Sequence, residues 1–202
     1  MIDETMGPPV QSRDDEIERA WVERPPDHNA TITLAEYDPD WPARYGRLAT
    51  IIRDALGDRV RLLEHVGSTA VPRLVAKPKI DVVLAVADSA AEDDYVPDLE
   101  RAGFRLVVRE PDWFAHRLLT RTDQEINLHV FTVACPEIDE MIRFRDWLRS
   151  HDDDRDRYAR TKRELAARRW RYVQHYADAK AEVVGEIKAR ARPAQSDPAG
   201  RP

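Results

Sequence analysis

Residues 64–84 read EHVGSTAVPRLVAKPKIDVVL, and this stretch decides the fold. An apolar run ends in Gly67-Ser68-Thr69, and twelve residues separate Ser68 from Asp81, which opens a second apolar run. Glycine permits a tight turn, and hydroxyls beside free backbone N–H groups can hold phosphate oxygens. An acid at the start of the neighbouring strand can bind Mg²⁺ together with substrate phosphates. The pattern therefore predicts a phosphate or nucleotide site in which Asp81 is the metal ligand.

A second candidate strand, residues 125–132, alternates polar and apolar side chains. Glu125, Asn127 and His129 fall on one face, because successive side chains of a strand point to opposite sides of the sheet. This polar stripe is either the solvated face of a half-buried strand or a set of groups that faces Asp81 and Ser68. Under the second interpretation, His129 and Glu125 join Asp81 as candidate catalytic residues.

Histidines supply a further set of candidate chemical groups. His65, His116 and His129 could each act as a general acid or base, since imidazole titrates near neutral pH, or could bind a transition metal. No His-x-x-x-His pair supports a metal site in this sequence. The acids Asp152, Asp153 and Asp154 resemble a metal-binding cluster, but they open a predicted helix, where acids complement the helix dipole.

The pattern around these segments predicts an α/β (α+β) protein, in which a mixed sheet is flanked by helices and followed by C-terminal helices. Helices are expected from Asp40 to Gly57, from Tyr95 to Ala102, and over most of residues 138–191, with a break near Ser150-His151. Strands are expected over residues 31–36, 61–66, 80–87, 104–108, 114–120 and 125–132.

Composition sets the limits of the domain and of its partners. The chain has 202 residues and a formal net charge of −6, so it is not a basic nucleic-acid binder. Residues 1–30 are predicted to form a flexible acidic arm, residues 31–192 one domain, and residues 193–202 a disordered tail. No apolar run approaches the length of a membrane span and no secretory signal is visible, so a cytoplasmic location is expected. Cys135 is interpreted as an apolar filler at a strand end.

The C-terminal region is locally basic, with eleven bases against six acids over residues 143–171. We interpret these arginines as a solvated helix face. RNA binding is disfavoured, because the region lacks interleaved aromatic residues and a glycine-rich RNA motif. Only five of the 32 basic residues are lysines, so each lysine is more informative than an arginine.

Several motifs together resemble the GrpB family, whose members have a nucleotidyltransferase-like fold. They are EHVGSTAVPRLVAKPKIDVVLAV, INLHVF, FRDWLRSH, Tyr158…Lys162 and Tyr176…Lys180, and the resemblance covers about residues 31–191. The resemblance and the turn together predict a set of substrate-binding residues: His65, Gly67, Ser68, Thr69, Lys77, Asn127, Lys162 and Lys180. Lys77 would neutralise phosphate charge, although a loop lysine exposed to solvent is an equally simple interpretation.

The sequence departs from the pattern of active nucleotidyltransferases at one position. That pattern requires two acids two residues apart, and Val83 stands where the second acid would be. Arg73 also occupies a loop position at which the family often has glycine. Two hypotheses follow. The first is a Mg²⁺-dependent nucleotidyl or phosphoryl transferase that acts on a small molecule. The second is a non-catalytic accessory domain that binds a nucleotide or a CoA precursor, related to the domain fused to dephospho-CoA kinase in some bacteria.

Overall fold

The computed structural model describes residues 12–121 and 126–192. A five-stranded sheet has the order β1-β2-β5-β4-β3, in which β2 and β5 are parallel and the other neighbours are antiparallel. The strands are β1 (Leu62–Val66), β2 (Ile80–Val86), β3 (Phe104–Glu110), β4 (His116–Arg121) and β5 (Ile126–Thr132). The helices are α1 (Asp14–Ala20), α2 (Trp41–Leu56), α3 (Val96–Arg101), α4 (Pro136–Ser150), α5 (Asp152–Ala166), α6 (Val173–Asp178) and α7 (Ala181–Ala191). The expected fold class, a mixed sheet with flanking and C-terminal helices, is confirmed.

Strand β2 is buried on both faces because helices cover both sides of the sheet. Ile80, Val82 and Leu84 pack in the main core against α2 and α3. Val83 and Ala85 point to the other face and pack against α4. A strand that is apolar at nearly every position suits such a central place, and Asp81 is the exception that the sequence marks.

The second face of the sheet is only partly covered. Helix α4 begins after Cys135, a buried residue at the end of the β5 strand segment, and packs over Val66, Val83 and Phe131. The loop that follows the β1 turn is buried against α4, α5 and α7 through Val71 and Leu74. These contacts bring the C-terminal helices next to the start of β2, where Asp81 lies.

Two expectations about secondary structure are wrong. Residues 31–36 do not form a strand; Ala35 makes a single bridge to Ala76, and Ala30, just before the segment, makes one to Trp170. The C-terminal helical stretch breaks not only at His151, as expected, but also between α5 and α6 and between α6 and α7. Each additional break lies next to a segment that packs on the body of the domain, so tertiary contacts override the helical pattern.

The described part of the N-terminal arm, residues 12–30, packs against the domain. Trp21 forms a bridge with Val108, and the Tyr172 hydroxyl donates to Glu18 at 2.7 Å. Residues 1–11 of the predicted flexible arm and the predicted tail, 193–202, lie outside the described residues. Within the described ranges, every helix is too short or too polar to cross a membrane.

The turn between β1 and β2 depends on one glycine. Gly67 has φ 68° and ψ −170°, a conformation that residues with a Cβ atom rarely adopt. A Cβ placed there would lie 2.3 Å from Oδ2 of Asp81. The carboxylate therefore rests directly on the backbone of the turn, and both strain and space require glycine at this position.

We expect Gly67→Ala to lower the free energy of unfolding by about 2 kcal/mol or more, from backbone strain and from displacement of Asp81. Gly46→Ala is the matched control. Gly46 lies inside α2, and a Cβ there would meet nothing within 4 Å, so alanine should stabilise the protein by about 0.5–1 kcal/mol. Urea unfolding of both variants measures the difference. Equal effects would contradict the role assigned to Gly67.

Candidate functional site

Three polar side chains converge at the start of β2. Asn127 donates from Nδ2 to Oδ1 of Asp81 at 2.8 Å, and Nε2 of His129 lies 4.0 Å from the same oxygen. The side chains of Asp81 and His129 are 29% and 20% exposed, so both reach solvent. The β2–β5 register pairs Asp81 with Asn127 and Val83 with His129, which puts all of these side chains on one face. The polar stripe of β5 thus faces Asp81, and its third predicted member, Glu125, lies outside the described residues.

Two lysines from the C-terminal helices approach this group of side chains. Lys162, on α5, is 2% exposed, and its Nζ has no hydrogen-bond partner. Lys180, immediately before α7, is half-buried and lies over the ring of Tyr176 at 4.4 Å. Burial, and then the charge of Lys180, hold the pKa of Lys162 well below its usual value, while Asp81 opposes the shift. Burial also lowers the pKa of Lys180 to about 8, again against the effect of Asp81.

Lys77 and Ser68 complete the same side of the cleft. Lys77 is close enough to Lys162 for its charge to depress the pKa of the buried ammonium further. The Ser68 hydroxyl interacts with the phenol of Tyr158, whose pKa burial raises to about 12. Tyr158 is thus a tether between the turn and α5, a role that sequence reasoning missed. Its signal was the shared spacing, since each of Tyr158 and Tyr176 precedes a cleft lysine by four residues.

His65 and Thr69 lie on the opposite side of the turn from the cleft. His65 stacks on Tyr45 of α2, and its Nε2 lies 3.0 Å from Oγ1 of Thr69. Thr69 in turn donates to the carbonyl of Lys79 at 3.2 Å. Both side chains are buried, and burial lowers the pKa of His65 to about 4. The structure places both as supports beneath the turn, and that they bind substrate directly stays a prediction.

Two arginines of α4 hold the turn from above, whereas most arginines of residues 143–171 are exposed, as the interpretation of a solvated face expected. Arg145 is buried and donates to Glu64 and to the carbonyl of His65, both at 2.8 Å. Arg149 donates to the carbonyl of Ala70 at 2.9 Å. On α5, Arg155 is also buried, at 3% exposure. The exposed acid Asp152 pairs with it in the first turn of α5, where the acidic run lies as expected, although no side chain caps this helix.

Among the described residues, the donor set at Asp81 lacks the second carboxylate that the nucleotidyltransferase pattern requires. Val83 shares the face of Asp81 but is fully buried beneath α4, so the position of the expected second acid lies in an apolar cluster. Across residues 12–121 and 126–192, no group of three His, Cys, Asp or Glu side chains is arranged to hold a metal ion. One carboxylate, one amide and one imidazole form a poor set for Mg²⁺, which prefers several oxygen ligands.

Comparisons with known proteins agree with this architecture. The family model described as GrpB protein matches residues 31–190. UPF0157 protein BH1888 of Halalkalibacterium halodurans is 56% identical over 178 residues, which cover 88% of this chain and 91% of that protein. A dephospho-CoA kinase of Mycolicibacterium paratuberculosis is 29% identical over 69% of this chain and 40% of its own length. The crystal structure of conserved protein GrpB from Enterococcus faecalis matches with a TM-score of 0.70 and 26% identity, over 79% of this chain and 96% of that one.

We expect Lys162→Met to raise the free energy of unfolding by about 1–2 kcal/mol, because a buried amine without a partner is replaced by an apolar chain of similar length. Lys188→Met is the control, since Lys188 is partly exposed and pairs with Glu137 at 3.2 Å; it should change stability by less than about 0.5 kcal/mol. Chemical denaturation at pH 7 compares the three proteins. A destabilised Lys162→Met variant would show that the lysine has a structural role.

Proposed function

The chain belongs to the GrpB family, and we propose that its cleft binds the phosphate groups of a nucleotide or another phosphorylated small molecule. The observation that carries this proposal is the buried Nζ of Lys162, which lies over the ring of Tyr158 at 4.9 Å but has no hydrogen-bond partner and lies near a second lysine. Buried polar groups are nearly always hydrogen-bonded, and an exception of this kind points to a missing partner. A phosphate oxygen would accept from Lys162 and balance the charge of both lysines.

The charges in the cleft predict how the ligand is oriented. Lys162, Lys180 and Ser68 favour an anion on the side of the C-terminal helices, and Lys77 adds to the same positive field. Asp81 carries the opposite charge, so a phosphate group would lie on the lysine side and away from it. Asp81 and His129 would then face either the acceptor molecule or the part of the ligand to which the phosphate is attached.

We further propose that this arrangement serves transfer of a nucleotidyl or phosphoryl group to a small molecule. Catalysis of such transfers consists mainly of positioning and of charge stabilisation, which the lysines would supply. Burial and the neighbouring His116 lower the pKa of His129 to about 4, so the imidazole is neutral at pH 7 and has an unprotonated nitrogen that can accept a proton from an attacking hydroxyl. The low pKa also makes it a weak base, so its contribution would depend on its position. Mg²⁺ is proposed only as an ion that enters with the phosphates of a nucleotide.

A second candidate is a non-catalytic domain that binds a nucleotide or a CoA precursor and assists a partner enzyme. The apolar, buried position of Val83 favours it, because it leaves Asp81 as the single carboxylate within β2. The similarity to part of a dephospho-CoA kinase also favours it, since 40% of that protein matches this chain. Both candidates need the same phosphate site, and they differ in whether Asp81 and His129 do chemistry.

Pyrophosphate binding, measured by isothermal titration calorimetry, tests the site. We expect Lys162→Met to weaken binding about tenfold or more, since a charge-assisted hydrogen bond contributes about 1.5–3 kcal/mol. Ser68→Ala should weaken it about fivefold, and Lys188→Met should leave it unchanged. Asp81→Asn should preserve or strengthen binding, because it removes a negative charge, while abolishing transfer from a nucleoside triphosphate to any acceptor. Unaltered affinity in Lys162→Met would overturn the phosphate site.

Anion affinity should also fall as the pH rises through about 8. Lys180, whose pKa is about 8, carries its charge below that pH and loses it above. Sulfate is the probe, since its own charge is constant over this range. We expect roughly tenfold weaker binding at pH 9 than at pH 7, and a smaller change in Lys180→Met, which lacks the titrating ammonium. The same pH dependence in both proteins would assign the effect to another group.

A further inference from the structure

A chain of hydrogen bonds leads from the cleft to the surface through two histidines. Nδ1 of His129 lies 3.1 Å from Nε2 of His116, and Nδ1 of His116 lies 2.7 Å from Oε2 of Glu110. His116 is 3% exposed, whereas the Glu110 side chain is 38% exposed. The β3–β4 register pairs Glu110 with His116. The chain thus begins beside Asp81 and ends at solvent on the outer strands.

The direction of these hydrogen bonds follows from the chemistry of the groups. An ionised carboxylate only accepts, so Nδ1 of His116 must donate to Glu110. A neutral imidazole carries one N–H, so Nε2 of His116 is then an acceptor and His129 donates to it from Nδ1. His129 is left with an unprotonated Nε2, the atom that lies 4.0 Å from Oδ1 of Asp81.

We propose that Glu110 and His116 are positioning residues that hold His129 in the Nδ1–H tautomer, with the lone pair of Nε2 facing the cleft, so that His129 acts as the general base of the site. The role as a base rests on the transfer reaction proposed above, whereas the tautomer does not. Glu110 and His116 never touch the ligand, since both act through the ring of His129.

The same chain gives the abstracted proton a path. When Nε2 of His129 takes a proton from the attacking hydroxyl, the Nδ1 proton of His129 can pass to Nε2 of His116. The positive charge then rests on the His116 imidazolium, against the carboxylate of Glu110, and His129 is neutral again. The O–H bond of the attacking group breaks and an N–H bond forms at Nε2 of His129, while the Nδ1 proton moves to His116. The positive charge therefore ends on His116, away from Asp81.

Aromatic packing keeps both rings in the required orientation. The rings of His116 and His129 stack with centroids 5.2 Å apart, and His116 also stacks on Phe131 at 4.7 Å. Trp113 contacts His116 edge-on at 5.0 Å. Rotation of the His116 ring would break these contacts and both hydrogen bonds, so the packing favours one arrangement of donors and acceptors.

Long-range ¹H–¹⁵N NMR of the ligand-free protein tests the proposal, because it distinguishes protonated from unprotonated ring nitrogens. At neutral pH we expect Nδ1–H and an unprotonated Nε2 for both His129 and His116, assigned by single substitution of the other four histidines. An Nε2–H tautomer of His129 in the wild-type protein would overturn the proposal. Since no ligand is present, this result is independent of whether pyrophosphate binds.

Variants test whether the tautomer is set from a distance. In His116→Phe the stacking is kept but His129 loses its acceptor, so the proton should move to Nε2 and face Asp81. Glu110→Leu should also populate the Nε2–H tautomer of His129, through reversal of the His116 hydrogen bonds. Glu110→Gln, whose amide oxygen still accepts, should retain the wild-type tautomer. An unchanged His129 in both His116→Phe and Glu110→Leu would reduce these residues to a structural role.

Discussion

Gly67 and Asp81 approach each other so closely that neither the turn nor the carboxylate could move independently. The antiparallel register of β1 and β2 places Val66 beside Asp81, which brings the turn over the start of β2. Other contacts act on the same point: His65 and Thr69 support the turn from the α2 side, and Arg149 holds its far end from α4. The position of the cleft is therefore a consequence of one backbone-to-carboxylate contact that the surrounding layers reinforce.

The cleft differs from the core in that it buries charged groups rather than apolar side chains. The apolar side chains of β2 are almost fully buried. Lys162 is buried as well, but its Nζ has no hydrogen-bond partner, and a second lysine lies close to it. Proteins tolerate such local cost at sites that bind ligands, because a site arranged for a charged ligand is under-satisfied in its absence. Arg145 of α4 gives an informative contrast: it is also buried, but two carboxylates and a carbonyl accept its hydrogen bonds.

Much of this site could be predicted from the sequence, because it depends on local patterns. The Gly-Ser turn, the acid at the start of β2 and the alternation of β5 each follow from short-range geometry. The side of the sheet on which the His65 side chain lies could not be predicted, since it depends on the register between β1 and β2. Long-range contacts also decide the burial of Arg145 and Arg155 within an otherwise mostly exposed basic region. The glycine that the family often has in place of Arg73 is explained, since Arg73 adopts φ 67°.

The cleft is assembled from segments far apart in the chain. Asp81 and the turn belong to the first half of the sequence, while Lys162 and Lys180 come from the C-terminal helical region. A dianion bound by both parts would stabilise the contact between the sheet and the C-terminal helices. By mass action, a higher concentration of the dianion would then favour the docked helices. Local opening of α6 and α7 would in turn set how fast such a ligand escapes, so the last helices would govern its residence time.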